Sequence, residues 1–312
     1  MPHFRISHFF AFVLASLLVT IFMFMKRGPF GSKWKVDTQR EVFKDMQLEQ
    51  IRRKAIINSV CRRNNSQKSE NMKLEMLERI FVEDNFQLLY CEVPKVGCSN
   101  WRRLLIVLGG HVKVPPDSLT GNDIHSSQAL RSLSSYSEDE IRVRLQNYTK
   151  FLFVREPFTR LVSCYRDKME RPNPIYHKAI GRVILREFRP NADKSLLATG
   201  DNVTFSEFAQ FVIQHNNFKD RHWFPIENIC YPCDINYDFI GKIEHISVEA
   251  PWFLESVGVP LSYSRHKATN DPRTDVALTK HFVQQLSHEQ RKALYKFYQR
   301  DYEIFNYSRP EL

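Results

Sequence analysis

Phe151-Leu152-Phe153-Val154, four apolar residues in a row, runs directly into Arg155-Glu156-Pro157. A strand without a polar face has to be covered on both sides, which a parallel sheet flanked by helices provides and a half-solvated antiparallel sheet does not. Pro157 suits the first position of a helix, because its missing N–H is one that the helix leaves unpaired anyway. Phe158, Leu161, Val162 and Tyr165 then fall at i, i+3, i+4 and i+7, so the helix has one stripe to bury. Residues 87–93 and 237–242 have the same strand texture, with amphipathic segments between them. Ser137-x-x-Glu140, Thr204-x-x-Glu207 and Ser287-x-x-Gln290 are capping-box signatures that open three further helices. The pattern predicts one α/β domain over residues 77–312 with a central, mostly parallel sheet.

Ahead of that domain, the stretch 9–25 carries no charge over seventeen residues, with Arg5 on one side and Lys26 and Arg27 on the other. As a helix it spans about 26 Å, near the hydrocarbon thickness of a thin bilayer. It ends in bulky Phe22-Met23-Phe24-Met25 without a small-residue cleavage site, which predicts an uncleaved signal anchor. The expected organisation is a cytoplasmic tail (1–8), a transmembrane helix (9–25) and a polar stem (26–76). The stem holds a helix near Glu41–Ile57 whose apolar positions are Val42, Met46, Leu48, Ile51 and Ala55. Lys26, Arg27, Lys33 and Lys35 after the span favour a cytoplasmic body by the positive-inside rule. Four sequons, at Asn64, Asn147, Asn202 and Asn306, oppose that orientation and predict a lumenal, glycosylated body.

With a net charge of +10, the chain calls for an anionic partner: nucleic acid, membrane, phosphate or an acidic glycan. A lumenal location removes nucleic acid from these. Six cysteines in 312 residues are too sparse for a disulfide-scaffolded fold. Cys230-x-x-Cys233 has half the spacing of a zinc site but lacks a second ligand pair, so a disulfide, local or long-range, is expected there and no metal.

Two strand–loop–helix junctions carry the chemistry. After strand 87–93 comes Pro94-Lys95-Val96-Gly97-Cys98-Ser99-Asn100-Trp101, opening a helix. Gly97, Cys98 and Ser99 let the backbone curl close to a ligand, and the first-turn N–H groups at the positive end of the helix favour an anion. Lys95 adds a point charge able to follow a phosphate oxygen, while Ser99 and Asn100 donate or cap. The loop is not a Walker A motif, since the lysine precedes the glycine. The second junction is Arg155-Glu156-Pro157-Phe158-Thr159-Arg160-Leu161-Val162-Ser163. Arg155 ends a central strand, where open α/β sheets hold their ligands, and Arg160 offers a second fork for a phosphate. Ser163, two turns into the helix, reaches a ligand through its hydroxyl. Two anion sites at neighbouring strand ends describe a ligand with two separated anionic groups.

At these residues the sequence strongly resembles the Golgi membrane-bound carbohydrate sulfotransferases, in particular the group that sulfates N-acetylgalactosamine at O4. The likeness runs through residues 202–213, 230–244 and 301–310, covering most of 77–312 and none of the stem. The resemblance implies a P-loop-NTPase-like sulfotransferase fold. It also implies 3′-phosphoadenosine 5′-phosphosulfate as cosubstrate, a glycan acceptor, no metal, and a single-pass type II protein of the Golgi membrane. Carried over by position, residues 94–101 hold the 5′-phosphosulfate with Lys95 on the bridging oxygen, and residues 155–163 hold the 3′-phosphate, mainly through Arg155 and Ser163.

Transfer also needs a base for the acceptor hydroxyl. His125 matches a histidine in the acceptor-side loop of related enzymes and is the expected base, with His222, Glu92 and Asp123 as alternatives. Arg265, His266, Lys267 and Arg273 form a basic loop, and Arg182, Arg186 and Arg189 a basic helix face; each is a solvated surface or part of a glycan or cosubstrate groove. Two rival functions share the charge pattern. A kinase is disfavoured by the lack of a Walker B Asp and of a magnesium-holding GK[ST], and a non-catalytic lumenal glycan-binding protein differs in being unable to transfer sulfate.

Overall fold

A computed structural model of the chain describes residues 29–63, 74–125, 129–263 and 273–312. The chain divides into two compact units, 1–49 and 50–312, and the second holds the sheet, the core and the cleft described below. The expected anchor over 9–25 and the sequon at Asn64 lie outside the described residues. Among the described residues no helix is long and apolar enough to cross a membrane.

Four strands, β1 (Ile80–Glu83), β2 (Leu88–Cys91), β3 (Thr149–Val154) and β4 (Phe239–Lys242), form one sheet in the order β1-β2-β3-β4. β2, β3 and β4 are parallel, as the apolar runs predict, and β1 adds an antiparallel edge that the sequence reading did not anticipate. Tyr90 pairs with Phe151, and Phe151 with Phe239, so one aromatic row crosses the sheet. Gly241 stands where a Cβ would come within 2.3 Å of the Phe153 ring, which explains a glycine inside a strand.

We label the principal helices α1 (Pro29–Arg63), α2 (Cys98–Leu108), α3 (Glu138–Asn147), α4 (Pro157–Tyr165), α5 (Phe205–Gln214), α6 (Ile246–Ser256) and α7 (His288–Ile304). α3, α5 and α7 begin at the three capping boxes, each with both reciprocal bonds made. Trp101 of α2 is fully buried, its ring centred 4.9 Å from Phe153 and 5.0 Å from Phe151, while Phe253 of α6 lies 4.4 Å from Phe151. The predicted stripe of α4 (Phe158, Leu161, Val162, Tyr165) is buried in a second core with α5, α7 and Trp223.

The stem expectation is corrected from Gln50 onward, since residues 50–63 of α1 belong to the compact unit. The buried face there is Gln50, Arg53, Ile57, Val60 and Cys61, whereas Ile51, predicted as apolar stripe, is 61% exposed. Two polar residues win those places because their groups are paired. Arg53 makes a bidentate contact with the buried Glu249 carboxylate at 2.8 Å, and Gln50 receives the Ile240 N–H at 2.9 Å. The motif Cys230-x-x-Cys233 is split between two long-range disulfides, Cys61–Cys233 and Cys91–Cys230. One ties α1 to the domain and the other ties β2 to the segment preceding β4.

Candidate active site

Because β2, β3 and β4 are parallel, their carboxyl ends share one edge of the sheet, and the loops leaving them are bonded to one another. The Arg155 Nη1 donates to the Lys95 carbonyl oxygen at 3.0 Å. The Glu156 N–H donates to Glu244 Oε1 at 2.9 Å, and the Tyr307 hydroxyl donates to the other oxygen of that carboxylate at 3.1 Å. The loops bound a cleft of about 1920 Å³ lined by twelve Lys and Arg residues against six Asp and Glu, a cavity built for an anion.

In the first junction, Lys95 (φ 73°) and Gly97 (φ 87°) both take the left-handed conformation, curling the chain so that Cys98, Ser99 and Asn100 line the cleft. A Cβ on Gly97 would stand 2.8 Å from the Tyr263 hydroxyl, so the backbone itself forms the wall. The Asn100 and Trp101 N–H groups donate to the Gly97 carbonyl, while the helix offers no acceptor to the amides of Cys98 and Ser99. Lys95 Nζ lies 3.0 Å from Asp167, which also faces Lys168 at 3.2 Å. Burial works to raise the Asp167 carboxyl, but the two ammonium groups outweigh it and hold the group below its ordinary value. Asp167 thus keeps Lys95 aimed across the loop.

In the second junction Glu156 is the cap of α4, accepting from the Phe158 and Thr159 N–H groups at 3.1 and 2.6 Å and from the Thr159 and Tyr302 hydroxyls. Arg155 is half-buried and spends Nη1 on Lys95 and Nη2 on the Thr274 carbonyl. A guanidinium has five N–H donors, so among the described residues the remaining ones are open to a ligand. Ser163 lines the cleft as its position on α4 predicts. Arg160 does not. It is 1% exposed and gives Nε to the Pro94 carbonyl at 3.1 Å, Nη1 to Phe224 at 2.7 Å and Nη2 to Arg221 at 2.8 Å. The second fork read from sequence is therefore a structural clamp. Val96, Trp101, Pro157, Leu161 and Val162 likewise turn into the core and do not line the cleft, whereas Pro94, Phe158 and Thr159 do.

Among the base candidates, His125 ends the short helix Gly121–His125, and its side chain lies outside the described residues. Glu92 is buried between Arg79 and Arg102, paired with both. Asp123 is exposed, and its carboxylate, accepting from the Thr120 hydroxyl and N–H, is held below its ordinary value. His222 lines the same cleft as Lys95 and Ser99. Of the basic loop, Arg273 also lines the cleft, while Arg265, His266 and Lys267 lie outside the described residues. The basic helix face is partly spent: Arg189 forks onto Glu207 at 2.7 and 2.6 Å, and Arg182 donates to the Ala198 carbonyl. Asn147, Asn202 and Asn306 are exposed.

The sequence reading missed the β1 side of the cleft. Arg102 sits 4.7 Å over the Phe81 ring, and the buried Nε of Arg79 has no hydrogen-bond partner among the described residues, leaving a donor for an anionic or hydroxylated ligand. Nothing in the local pattern around Arg79 marks it, because only the pairing of β1 with β2 brings it to the cleft.

Residues 78–308 match the model of the sulfotransferase family. The chain is 41% identical to the mouse (Mus musculus) carbohydrate sulfotransferase 8 over 84% of its length and 64% of that protein's. It is 36% identical to the human (Homo sapiens) carbohydrate sulfotransferase 9, over 86% of the chain and 62% of the relative. With the rat (Rattus norvegicus) carbohydrate sulfotransferase 11 it shares 36% identity over 95% of the chain and 92% of the relative. The chain thus spans under two thirds of the first two of these relatives. No solved structure matches it.

Proposed function

This chain belongs to the sulfotransferase family, and from that premise we propose that it transfers the sulfuryl group of 3′-phosphoadenosine 5′-phosphosulfate to a hydroxyl of a glycan. The observation that carries this reading is the bond between Arg155 and the Lys95 carbonyl, which joins two anion-binding strand ends within one cationic cleft. The donor bears two anionic groups at opposite ends of one nucleoside, and the paired junctions suit it. Lys95 and the α2 amides serve the 5′-phosphosulfate; Arg155, with N–H groups to spare, and Ser163 serve the 3′-phosphate.

Displacement at sulfur builds negative charge on the departing phosphate oxygen. A lysine and helix N–H groups fixed in advance near that oxygen bind the transition state more tightly than the ground state. Asp167 and the left-handed backbone at Lys95 supply that fixing.

For the acceptor we propose O4 of N-acetylgalactosamine, in N-glycans or in chondroitin or dermatan. Support comes from the resemblance of residues 94–101, 155–168 and 230–244 to that group, with the stretch Arg166–His177 favouring terminal N-acetylgalactosamine of N-glycans. We place the protein in the Golgi membrane as a single-pass type II protein with the domain in the lumen. The apolar run 9–25, the exposed sequons and two long-range disulfides, which persist in an oxidising compartment, support this placement.

The test is an acceptor panel with isotope-labelled donor and linkage analysis of the product. Sulfate at O4 of N-acetylgalactosamine is the expected result. A purified protein with no affinity for adenosine 3′,5′-bisphosphate and no transfer to any glycan overturns the reading.

A further inference from the structure

One cluster beside the cleft is not used by the donor loops. Asp220, His222 and Tyr176 come from a loop and a short helix that are distant in sequence, yet their polar atoms converge. His222 Nδ1 lies 2.7 Å from Asp220 Oδ1 and 2.8 Å from the Tyr176 hydroxyl, which donates to Asp220 Oδ2 at 2.9 Å. Asp220 Oδ1 also accepts the His222 backbone N–H at 2.8 Å. This network assigns the proton to Nδ1 and leaves Nε2 as an acceptor. The His222 side chain is 16% exposed and lines the cleft.

The loop holding His222 is fastened to the donor loop. The single guanidinium of Arg160 binds the carbonyls of Pro94, Arg221 and Phe224, one from the residue before Lys95 and two from residues that bracket His222. A second route runs through side chains: Lys95 pairs with Asp167, Asp167 with Lys168, and Lys168 sits 4.7 Å over the Tyr176 ring. Both connections fasten the segment that carries His222 to the loop that carries Lys95.

We propose that His222 is the general base of the reaction and that Asp220 and Tyr176 are its positioning residues; this rests on the sulfotransferase reading above. The acceptor oxygen forms its bond to sulfur as the sulfur–oxygen bond to the 5′-phosphate breaks. The electron pair of the broken bond stays on the phosphate oxygen of adenosine 3′,5′-bisphosphate. The hydroxyl proton passes to Nε2, and Asp220 stabilises the imidazolium that results. Electrostatics suit the role. Burial lowers the His222 pKa, Asp220 opposes that, and Lys168 and Arg221 add to the lowering, which favours the neutral imidazole, the form that accepts a proton. Of the other candidates, Glu92 is committed to two arginines and Asp123 to Thr120.

The experiment uses the full chain with labelled donor and an N-acetylgalactosamine-terminated oligosaccharide. His222→Gln and His222→Ala are expected to lower kcat by at least about a hundredfold while the Kd for adenosine 3′,5′-bisphosphate stays within about threefold of wild type. Asp220→Asn is the second variant. A neutral base gives a rate that rises with pH through the histidine pKa; removing the carboxylate that holds that pKa up moves the limb to lower pH. A merely structural Asp220 would lower the rate without moving the limb. Turnover within about threefold of wild type in His222→Ala, or an unmoved limb in an active Asp220→Asn, overturns the assignment while leaving the sulfotransferase reading intact. So does His125→Ala abolishing turnover where His222→Ala does not. A wild-type protein that transfers nothing and binds no bisphosphate overturns both.

Discussion

The guanidinium of Arg155 and the main chain of Lys95 are joined by a 3.0 Å hydrogen bond across sixty residues of sequence, so one side chain belongs to both strand–loop–helix junctions. Replacing Arg155 by Ala removes a cation from one site and loosens the carbonyl that sets the backbone of the other. Isothermal calorimetry with adenosine 3′,5′-bisphosphate is expected to show at least about a thirtyfold rise in Kd, with near-complete loss of transfer. Wild-type affinity in the variant refutes the role.

Arg160 differs in kind. Truncation to Ala removes this donor from three carbonyls, buried at Pro94 and part-buried at Phe224 and Arg221, and a buried group left unpaired costs on the order of 1–3 kcal/mol. A lowered urea midpoint, equivalent to at least about 3 kcal/mol, is expected from circular dichroism. An unchanged midpoint would mean that the clamp holds nothing.

The two free thiols separate by environment. Cys98 lies in the first turn of α2 on the cleft, whereas Cys164 is fully buried and its thiol is pushed up to about 12 by desolvation. Iodoacetamide at pH 8 is expected to label Cys98 alone in the folded protein, with adenosine 3′,5′-bisphosphate slowing the reaction and Cys164 reacting only after unfolding. Mass spectrometry decides between these sites.

The Cys61–Cys233 bridge closes a separation of 172 residues and anchors α1. The double variant Cys61→Ser/Cys233→Ser is expected to lose about 2–4 kcal/mol and to become susceptible to trypsin within residues 50–63, the stretch that carries Arg52 and Arg53. Retention of wild-type thermal stability would show that the packing of α1 suffices.

Burial raises the Glu207 carboxyl, but the donors of Arg189 and Thr204 outweigh it and hold the group below its ordinary value. A depressed carboxylate contributes stability that is complete above its unfolded pKa and is lost as pH falls through the folded one. Arg189→Ala should therefore cost about 1 kcal/mol at neutral pH. That deficit should shrink below the ordinary carboxylate range, leaving what comes from the Asn202 carbonyl, the other acceptor of Arg189. Urea titrations across pH read the gap directly.

Local chemistry made much of this protein legible in its sequence. Four apolar residues at 151–154 demand a doubly covered strand, three capping boxes start helices where they stand, and the small residues Gly97, Cys98 and Ser99 mark the turn from strand into helix. These signals depend on neighbours within a turn or two, so one dimension carries them. What only the tertiary structure decided are partnerships between distant residues. Gln50 and Arg53 are buried because Ile240 and Glu249 receive them, against the apolar stripe drawn from hydropathy. Arg160 turns inward because three carbonyls from two other loops meet it, although its position beside Arg155 suggested a ligand fork. His222 has Asp220 as a local partner and gains its second, the Tyr176 hydroxyl, only when Tyr176 folds across to the pair. A polar side chain goes where its hydrogen bonds are satisfied, and for these residues the satisfying groups lie tens to hundreds of positions away.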